Sequence, residues 1–267
     1  MLVGERRRRI VEVLAADARA SVADLAVRFA VSESTIRRDL QLLSENGAVE
    51  RTHGGALPPS RFEPSFGEKE TVNRSQKAAI AAAALDLVEP GQTVFLDAGT
   101  TTLELARLLR SRPDVTVASN SVPVAVELAN RLRLILTGGT AKESTLALVG
   151  PLAERSIAEM HVDIAFLGMN GVSATAGFTT PTWEEAAAKA RMIGSARLAV
   201  VLVDSTKLGA VTFAHVAGLD EVDLVITDDR APADQIEALR AAGLDVRVVT
   251  TMGDGADQAA AVRRRLD

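Results

Sequence analysis

Five short polar stretches carry the chemistry in the second half of this chain. Asp97-Ala98-Gly99-Thr100-Thr101-Thr102 ends an apolar run and opens a helix-forming one. A glycine there is expected to let the backbone turn tightly. The unpaired N–H groups of the first helical turn and three hydroxyls would then face an anion at the positive end of the helix dipole. An ordinary threonine-capped helix would have the same composition. Ser119-Asn120-Ser121, Thr137-Gly138-Gly139-Thr140 and Gly168-Met169-Asn170-Gly171 repeat the pattern, each after an apolar run. Singly each reads as a strand-end turn. Together they suggest one edge of one sheet. Asp204-Ser205-Thr206-Lys207 follows the apolar run LAVVLV and offers a lysine, which holds an anion as a point charge or stands as a plain surface cation. Glu185 and Lys189 are four apart on a helical stretch, the spacing of a simple surface ion pair.

A different constellation occupies Val31–Gly55. Ser32 is suited to cap a helix. Ile36, Leu40 and Leu43 then repeat at i, i+4, i+7 and define one apolar stripe. Ser34, Arg38 and Gln41 fall opposite it, with Thr35 and Arg37 beside them. These side chains hydrogen-bond base edges or phosphates. Asn46-Gly47 ends the helix. Ala48–Thr52, the turn His53-Gly54-Gly55 and Ala56-Leu57 read as a small hairpin bearing Arg51 and His53. Upstream, Ser21-Val22-Ala23-Asp24 has the form of a capping box, and Val22, Leu25, Ala26 and Phe29 line a short helix. Two helices joined through Ala30-Val31 and followed by a hairpin form a winged helix-turn-helix, the geometry that lays a helix in a DNA major groove. A helical protein-interaction module with a solvated basic face would share much of this pattern.

The elements that must position these residues divide the chain. Leu57–Pro64 holds three prolines, which bar a continuous helix and suit a hinge. We place the winged domain at 1–57, a linker at 58–70, an α/β domain at 71–252 and a polar tail at 253–267. Glu68–Val88 reads as one long Ala-rich helix. From Gly91, short apolar strands alternate with helices, as expected of a mostly parallel sheet covered on both faces. Ligands of such sheets sit beyond the carboxyl ends of the strands, where the polar stretches fall.

Composition narrows the classes. The chain of 267 residues has no cysteine, so disulfides and thiolate metal sites are excluded. Its three histidines, His53, His161 and His215, do not pair at ligand spacing. No apolar run reaches the ~18–20 residues of a membrane span. Glu12 and Asp17 interrupt the stretch after Arg6–Arg9, which argues against a signal peptide. Net charge is −5, but residues 1–57 hold nine Arg against eight Asp or Glu. A local basic face built from Arg6–Arg9 and Arg37–Arg38 is therefore compatible with DNA. One Trp, seven Phe and no Tyr disfavour a stacking platform for RNA or single strands.

The segment from Glu5 to Leu57, with its SVADLA, STIRRDL and RTHGGA runs, resembles the N-terminal domain of the DeoR family of bacterial transcription regulators. DAGTTT, SNS, GG, LVGP, FLGMNG, EEAAAKARMI and DSTK resemble that family's sensor domain in the same order. The resemblance implies an α/β sensor domain related in fold to ribose-5-phosphate isomerase and CoA transferases. It implies that Thr100–Thr102 and Lys207 hold the phosphate of a sugar or related metabolite. Asp97, Asn120, Gly138, Gly139, Gly171, Glu185 and Lys189 would line the sugar pocket, and the residues themselves add Gly99, Ser121 and Asn170. Met169-Asn170-Gly171 stands where the family usually has Ala-Asp-Gly, which removes one carboxylate. Thr206 replaces a serine.

The expected function is a DNA-binding transcription regulator of the repressor kind, without catalytic residues, metal or cofactor. Its expected partners are a double-stranded operator, a phosphorylated small-molecule effector and further copies of the chain. Its expected place is the cytoplasm, on the nucleoid. The alternatives are a sugar-phosphate isomerase using Asp97, Glu185 and Lys207, or an interaction module without DNA affinity.

Overall fold

The computed structural model describes residues 3–17, 20–45, 49–52, 55–57 and 64–251. The chain forms two compact units, Met1–Pro64 and Ser65–Asp267.

The first unit contains α1 (Val3–Asp17), β1 (Ala20–Ser21), α2 (Val22–Phe29), α3 (Glu33–Glu45), β2 (Glu50–Thr52) and β3 (Gly55–Leu57). Ile10, Val13 and Leu14 of α1, Val22, Leu25 and Ala26 of α2, Ile36 and Leu40 of α3, and Val49 form its core. Ser21 caps α2 by accepting from Asp24 N–H at 3.0 Å. The expected return bond differs: the Ser21 hydroxyl donates to the Asp24 carboxylate rather than Asp24 reaching the Ser21 backbone. Ala30, in the left-handed region at φ 51°, ends α2 and turns the chain into α3. The wing hairpin pairs Glu50 with Leu57 and Thr52 with Gly55. β1 adds an unforeseen third strand, in the order β1-β3-β2. That strand explains Gly55, where a Cβ would lie 2.2 Å from Ala20 O. The Asn46-Gly47 stop falls outside the described residues.

Asp39 is a charged residue on the buried stripe of α3, 2% exposed. Arg6 and Arg7 of α1 donate to its two oxygens at 2.6 and 2.8 Å. This corrects the basic face expected from Arg6–Arg9: Arg6 is buried and Arg7 half-buried against Asp39, so only Arg8 and Arg9 project outward, each beside a glutamate of its own helix. Burial works to raise the Asp39 pKa, but the hydrogen bonds and charges of the two arginines outweigh it and hold the carboxyl below its usual range. With the folded pKa depressed, the stabilisation is complete above the unfolded-state value near 4 and is lost as pH falls through the folded value. Asp39→Ala is expected to lower the stability of this unit by about 3–5 kcal/mol, the cost of leaving buried charge unpaired. Thermal unfolding at neutral pH checks it.

The second unit runs α4 (Phe66–Thr71), α5 (Arg74–Leu85), β4 (Thr93–Leu96), α6 (Thr100–Leu109), β5 (Thr116–Ser119), α7 (Val122–Leu128), β6 (Arg133–Leu136), β7 (Thr140–Ala141), β8 (Leu148–Val149), α8 (Pro151–Ala158), β9 (Val162–Leu167), β10 (Gly171–Ser173), β11 (Gly177–Thr180), α9 (Trp183–Ser195), β12 (Ala196–Leu202), β13 (Ala214–Ala217), β14 (Leu224–Asp228), α10 (Ala233–Ala241) and β15 (Asp245–Val249). Seven strands form one sheet in the order β15-β14-β12-β9-β4-β5-β6, and every pairing in it is parallel. Side chains alternate between its faces. Val94 and Leu96 join α5, α6 and α7 in one apolar cluster, while Phe95 joins α8, α9 and α10 in the other. The chain enters at β4, builds outward through β5 and β6, then returns to the other side of β4 with β9. The carboxyl ends of β4 and β9 therefore flank the topological switch point, where such sheets bind ligands.

Two expectations are corrected. The helix expected over Glu68–Val88 is two helices, because Asn73 adopts the left-handed conformation at φ 53°, which asparagine tolerates. Residues 66–70, assigned to the linker, belong to α4, whose start is fixed by the capping box Ser65–Glu68. Beside the parallel sheet stand the antiparallel set β10-β11-β13 and the hairpin β7–β8, whose strands of two to four residues are too short to show a period.

Candidate functional site

The first unit presents α3. Ile36 and Leu40 are buried under it, and Ser32, Ser34, Arg37, Arg38 and Gln41 are exposed, with Thr35 half-buried. Ser32 Oγ accepts from Thr35 N–H at 3.3 Å and lies within hydrogen-bond distance of the Ser34 and Thr35 hydroxyls, so these three form a polar knot at the start of the helix. Arg37 is paired with Glu33 one turn back at 2.5 Å. Both ends of that pair are solvent-exposed, so it is worth well under ~1 kcal/mol and yields easily to a phosphate or base. Arg51 lies in β2 of the wing. Its side chain, and His53, fall outside the described residues.

The second unit gathers its polar groups at the carboxyl edge of the sheet. At the switch point the Asp97 carboxylate, 1% exposed, receives the Lys189 ammonium and the Gly168 N–H, the latter at 3.1 Å. Lys189 also donates to Gly168 O at 2.8 Å, locking the ends of β4 and β9 together through α9. Burial pushes the Asp97 carboxyl above its usual range, against the pull of Lys189 and of the Gly168 N–H. The expected Glu185–Lys189 pair does not form. Glu185 instead accepts from Lys142 at 2.6 Å, from Thr145 at 3.0 Å and from Thr182 at 3.1 Å. A helical surface pair is thus replaced by two buried carboxylates, each reaching a different element.

Not every expected ligand group is open to a ligand. The Thr102 hydroxyl turns inward and donates to Asp97 O and Gly99 O at 2.6 and 2.9 Å. Asn120 holds Ala98 N–H on its Oδ1 at 3.0 Å and donates to Leu148 O at 3.4 Å. Ser121 caps α7. Gly99 does not turn tightly: at φ −166° it is extended backbone. Gly138 and Gly139 shape the backbone before β7; Gly139 stands at φ 117°, and a Cβ there would meet Val149 O at 2.7 Å. Asn170 accepts from the Thr180 hydroxyl at 3.1 Å, and Gly171 opens β10. The Thr100 and Thr101 hydroxyls, on the first turn of α6, have no hydrogen-bond partner among the described residues. Neither has the ammonium of half-buried Lys207, on a turn that Asp204 caps through Thr206 N–H at 3.0 Å. The loops after β4 and β12 stand two strands apart, about 10 Å at sheet spacing.

Lys142, Thr145 and Thr182, which surround Glu185, carry no signal in the sequence, because the β7–β8 hairpin that brings in two of them has strands of only two residues. Lys77, buried at 5% exposure and donating to Lys69 O and Val72 O, was legible: it falls on the buried face of α5 beside Ile80, Ala81 and Ala84. No cluster of three or more metal-ligating side chains exists among the described residues. No helix among them is long and apolar enough to cross a membrane.

A reading helix on a winged helix-turn-helix, joined in one chain to an α/β unit with polar loops at its switch point, defines the class of DNA-binding regulators with an attached sensor. Residues 6–62 match the DeoR-like helix-turn-helix domain, and residues 72–229 match the DeoR C terminal sensor domain. The chain is 41% identical over 249 residues to the HTH-type transcriptional regulator GlpR of Haloferax volcanii, covering 92% of this chain and 98% of that one. It is 36% identical to a putative aga operon transcriptional repressor of Escherichia coli O157:H7, covering 92% and 93%. The chain belongs to the DeoR family of transcription regulators. Among solved structures, ribose 5-phosphate isomerase A from Methanocaldococcus jannaschii gives a TM-score of 0.38 at 23% identity over 51% of this chain and 54% of that one, too distant a likeness to build on. Relatives matching nearly the whole chain are regulators, so the isomerase alternative is set aside, as is the interaction module without DNA affinity.

Proposed function

We propose that the sensor unit binds a phosphorylated sugar or related metabolite at the β4–β9–β12 edge, and that this ligand lowers the affinity of the winged unit for its operator. The observation carrying this reading is the uncommitted set at that edge: the Thr100 and Thr101 hydroxyls on the first turn of α6, and Lys207 on the loop after β12. Dipole, hydroxyls and ammonium together suit a phosphate. Asp97, Lys189 and Glu185, buried and hydrogen-bonded, are the charged groups of this unit best suited to sugar hydroxyls. A repressor is the reading favoured by the printed names of two relatives, the aga operon repressor and AccR of Agrobacterium fabrum. A single recognition helix contacts too few bases for tight specific binding, which favours a dimer or larger oligomer on repeated half-sites. The absence of cysteine and the DNA partner favour the cytoplasm and its nucleoid.

The test is a thermal-shift screen of pentose and hexose phosphates against their unphosphorylated counterparts, since a ligand bound only by the folded state raises its apparent stability. Phosphorylated members alone are expected to raise the Tm. Thr100→Val and Lys207→Ala should each weaken the hit by about 1–3 kcal/mol in calorimetric titration, the range for a hydrogen bond to a charged group. Ligand-free DNA binding should stay unchanged, since neither residue lies in the first unit. Unphosphorylated sugars shifting the Tm equally, or Lys207→Ala binding as tightly as wild type, would displace the phosphate site.

A further inference from the structure

Phe66 opens α4, two residues after the last residue of the DNA-binding unit. Its ring is buried, and its N–H donates to Ser144 O at 2.7 Å. Ser144 lies in the loop between β7 and β8. The same loop reaches into the sensing edge: Lys142 and Thr145 donate to opposite oxygens of the Glu185 carboxylate, at 2.6 and 3.0 Å. Four consecutive residues thus touch a buried acid of the ligand edge on one side and, on the other, the backbone where the chain arrives from the DNA reader.

The loop is also under tension. Leu146 sits at φ 56°, a left-handed conformation a leucine keeps only where its surroundings over-determine it. What holds it is a set of short bonds, Leu146 N–H to Lys142 O at 2.8 Å, Lys142 N–H to Ala147 O at 2.8 Å and Val122 N–H to Leu146 O at 3.1 Å. The far end of α4 is tied to the same edge. Lys77 caps it through Lys69 O and Val72 O and lies within electrostatic reach of Asp204 and Lys207.

We propose that the β7–β8 loop is the relay between effector and linker, with Lys142 and Thr145 as positioning residues that read the state of Glu185. This rests on the reading of the strand-end edge as the effector site. A bound polyol whose hydroxyls claim the Glu185 oxygens takes them from Lys142 and Thr145. The loop then loses its inner anchor, Leu146 relaxes, and Ser144 O withdraws from the Phe66 N–H. α4 is released at the end where the linker joins it. Only a ligand that engages Glu185 does this, so phosphate held by Thr100 and Lys207 without a sugar binds without signalling.

The experiment is residue-resolved amide exchange on the full ligand-free chain, comparing wild type with Lys142→Met, Thr145→Val and Thr145→Ser. The Phe66 amide is expected to exchange about tenfold faster in Lys142→Met and Thr145→Val, with the amides of β4 unchanged, because only the local opening is made easier. Thr145→Ser keeps the hydroxyl and should restore wild-type protection. Unchanged Phe66 protection in both Lys142→Met and Thr145→Val overturns the relay. So does a loss shared equally with β4, which would mark general destabilisation, or a failure of the serine to rescue. No ligand enters this arm, so it decides the relay independently of the effector reading. That reading fails separately if D-ribose 5-phosphate and the other sugar phosphates of the screen leave the Thr100 and Thr101 amides unprotected.

Discussion

Lys189→Met is expected to cost the sensor unit about 3–5 kcal/mol, the usual penalty for removing one partner of a buried ion pair. Asp97 is 1% exposed and Lys189 5%. Methionine fills the volume of the lysine stem but brings no charge, so Asp97 is left with the Gly168 N–H alone. The pH dependence has a defined sign. The Asp97 pKa already stands above its unfolded value because of burial, and loss of Lys189 raises it further. Between the two values the folded state binds more protons than the unfolded, so stability falls as pH rises through that window. The variant should therefore be most impaired at the alkaline end and recover in mild acid. Asp97→Asn in the same chain removes the stranded charge while an amide oxygen still accepts from Gly168. The double variant should be more stable than Lys189→Met alone, a coupling that chemical denaturation of all four proteins measures. Equal additive losses would mean that the two side chains do not act as a pair.

The double substitution Arg37→Ala, Arg38→Ala should weaken specific DNA binding by about 2–6 kcal/mol, taking 1–3 kcal/mol for each base-directed arginine. The fold should survive, because both side chains are exposed and the core of this unit lies on the opposite stripe. Arg37 gives up its exposed pair with Glu33. Arg6 and Arg7 are spent on Asp39, so α3, Arg8, Arg9 and the wing must supply the phosphate contacts. The slope of log affinity against log salt should accordingly be smaller than four free arginines on α1 would give. Anisotropy titrations on a DNA site selected in vitro check both statements. Full affinity in the double variant would remove α3 from the interface.

Much of this architecture was legible because its signals are periodic. The stripe Ile36, Leu40, Leu43 placed α3, and the apolar runs at β4, β9 and β12 placed the parallel sheet within a residue or two. What stayed hidden depends on partners far along the chain. Nothing near Asp39 announces Arg6 and Arg7, although a carboxylate three residues after Ile36 on a buried stripe demands a cation. Glu185 and Lys189 have the spacing of a pair, yet the loop after β4 and the β7–β8 hairpin outcompete that pairing with buried partners. The family resemblance places Thr102 and Asn120 among the ligand residues and side-chain type adds Ser121, whereas in the structure their hydrogen bonds hold the loops around Thr100 and Thr101. Side-chain type locates a polar edge; only the hydrogen-bond accounting separates the groups that build it from those left for a ligand.

On the proposed reading, ligand occupancy of the sensor edge and DNA binding are coupled in one molecule. Coupling is reciprocal, so a ligand that weakens DNA binding by a given factor must itself bind the DNA-bound protein more weakly by that factor. The direct measurement is calorimetric titration of a sugar phosphate from the screen into the full chain, free and saturated with its selected DNA site. Affinity is expected to be lower by about fivefold or more on DNA, as in ordinary allosteric couplings. Equal affinity in the two titrations would show a sensor that binds its sugar phosphate without controlling the reader.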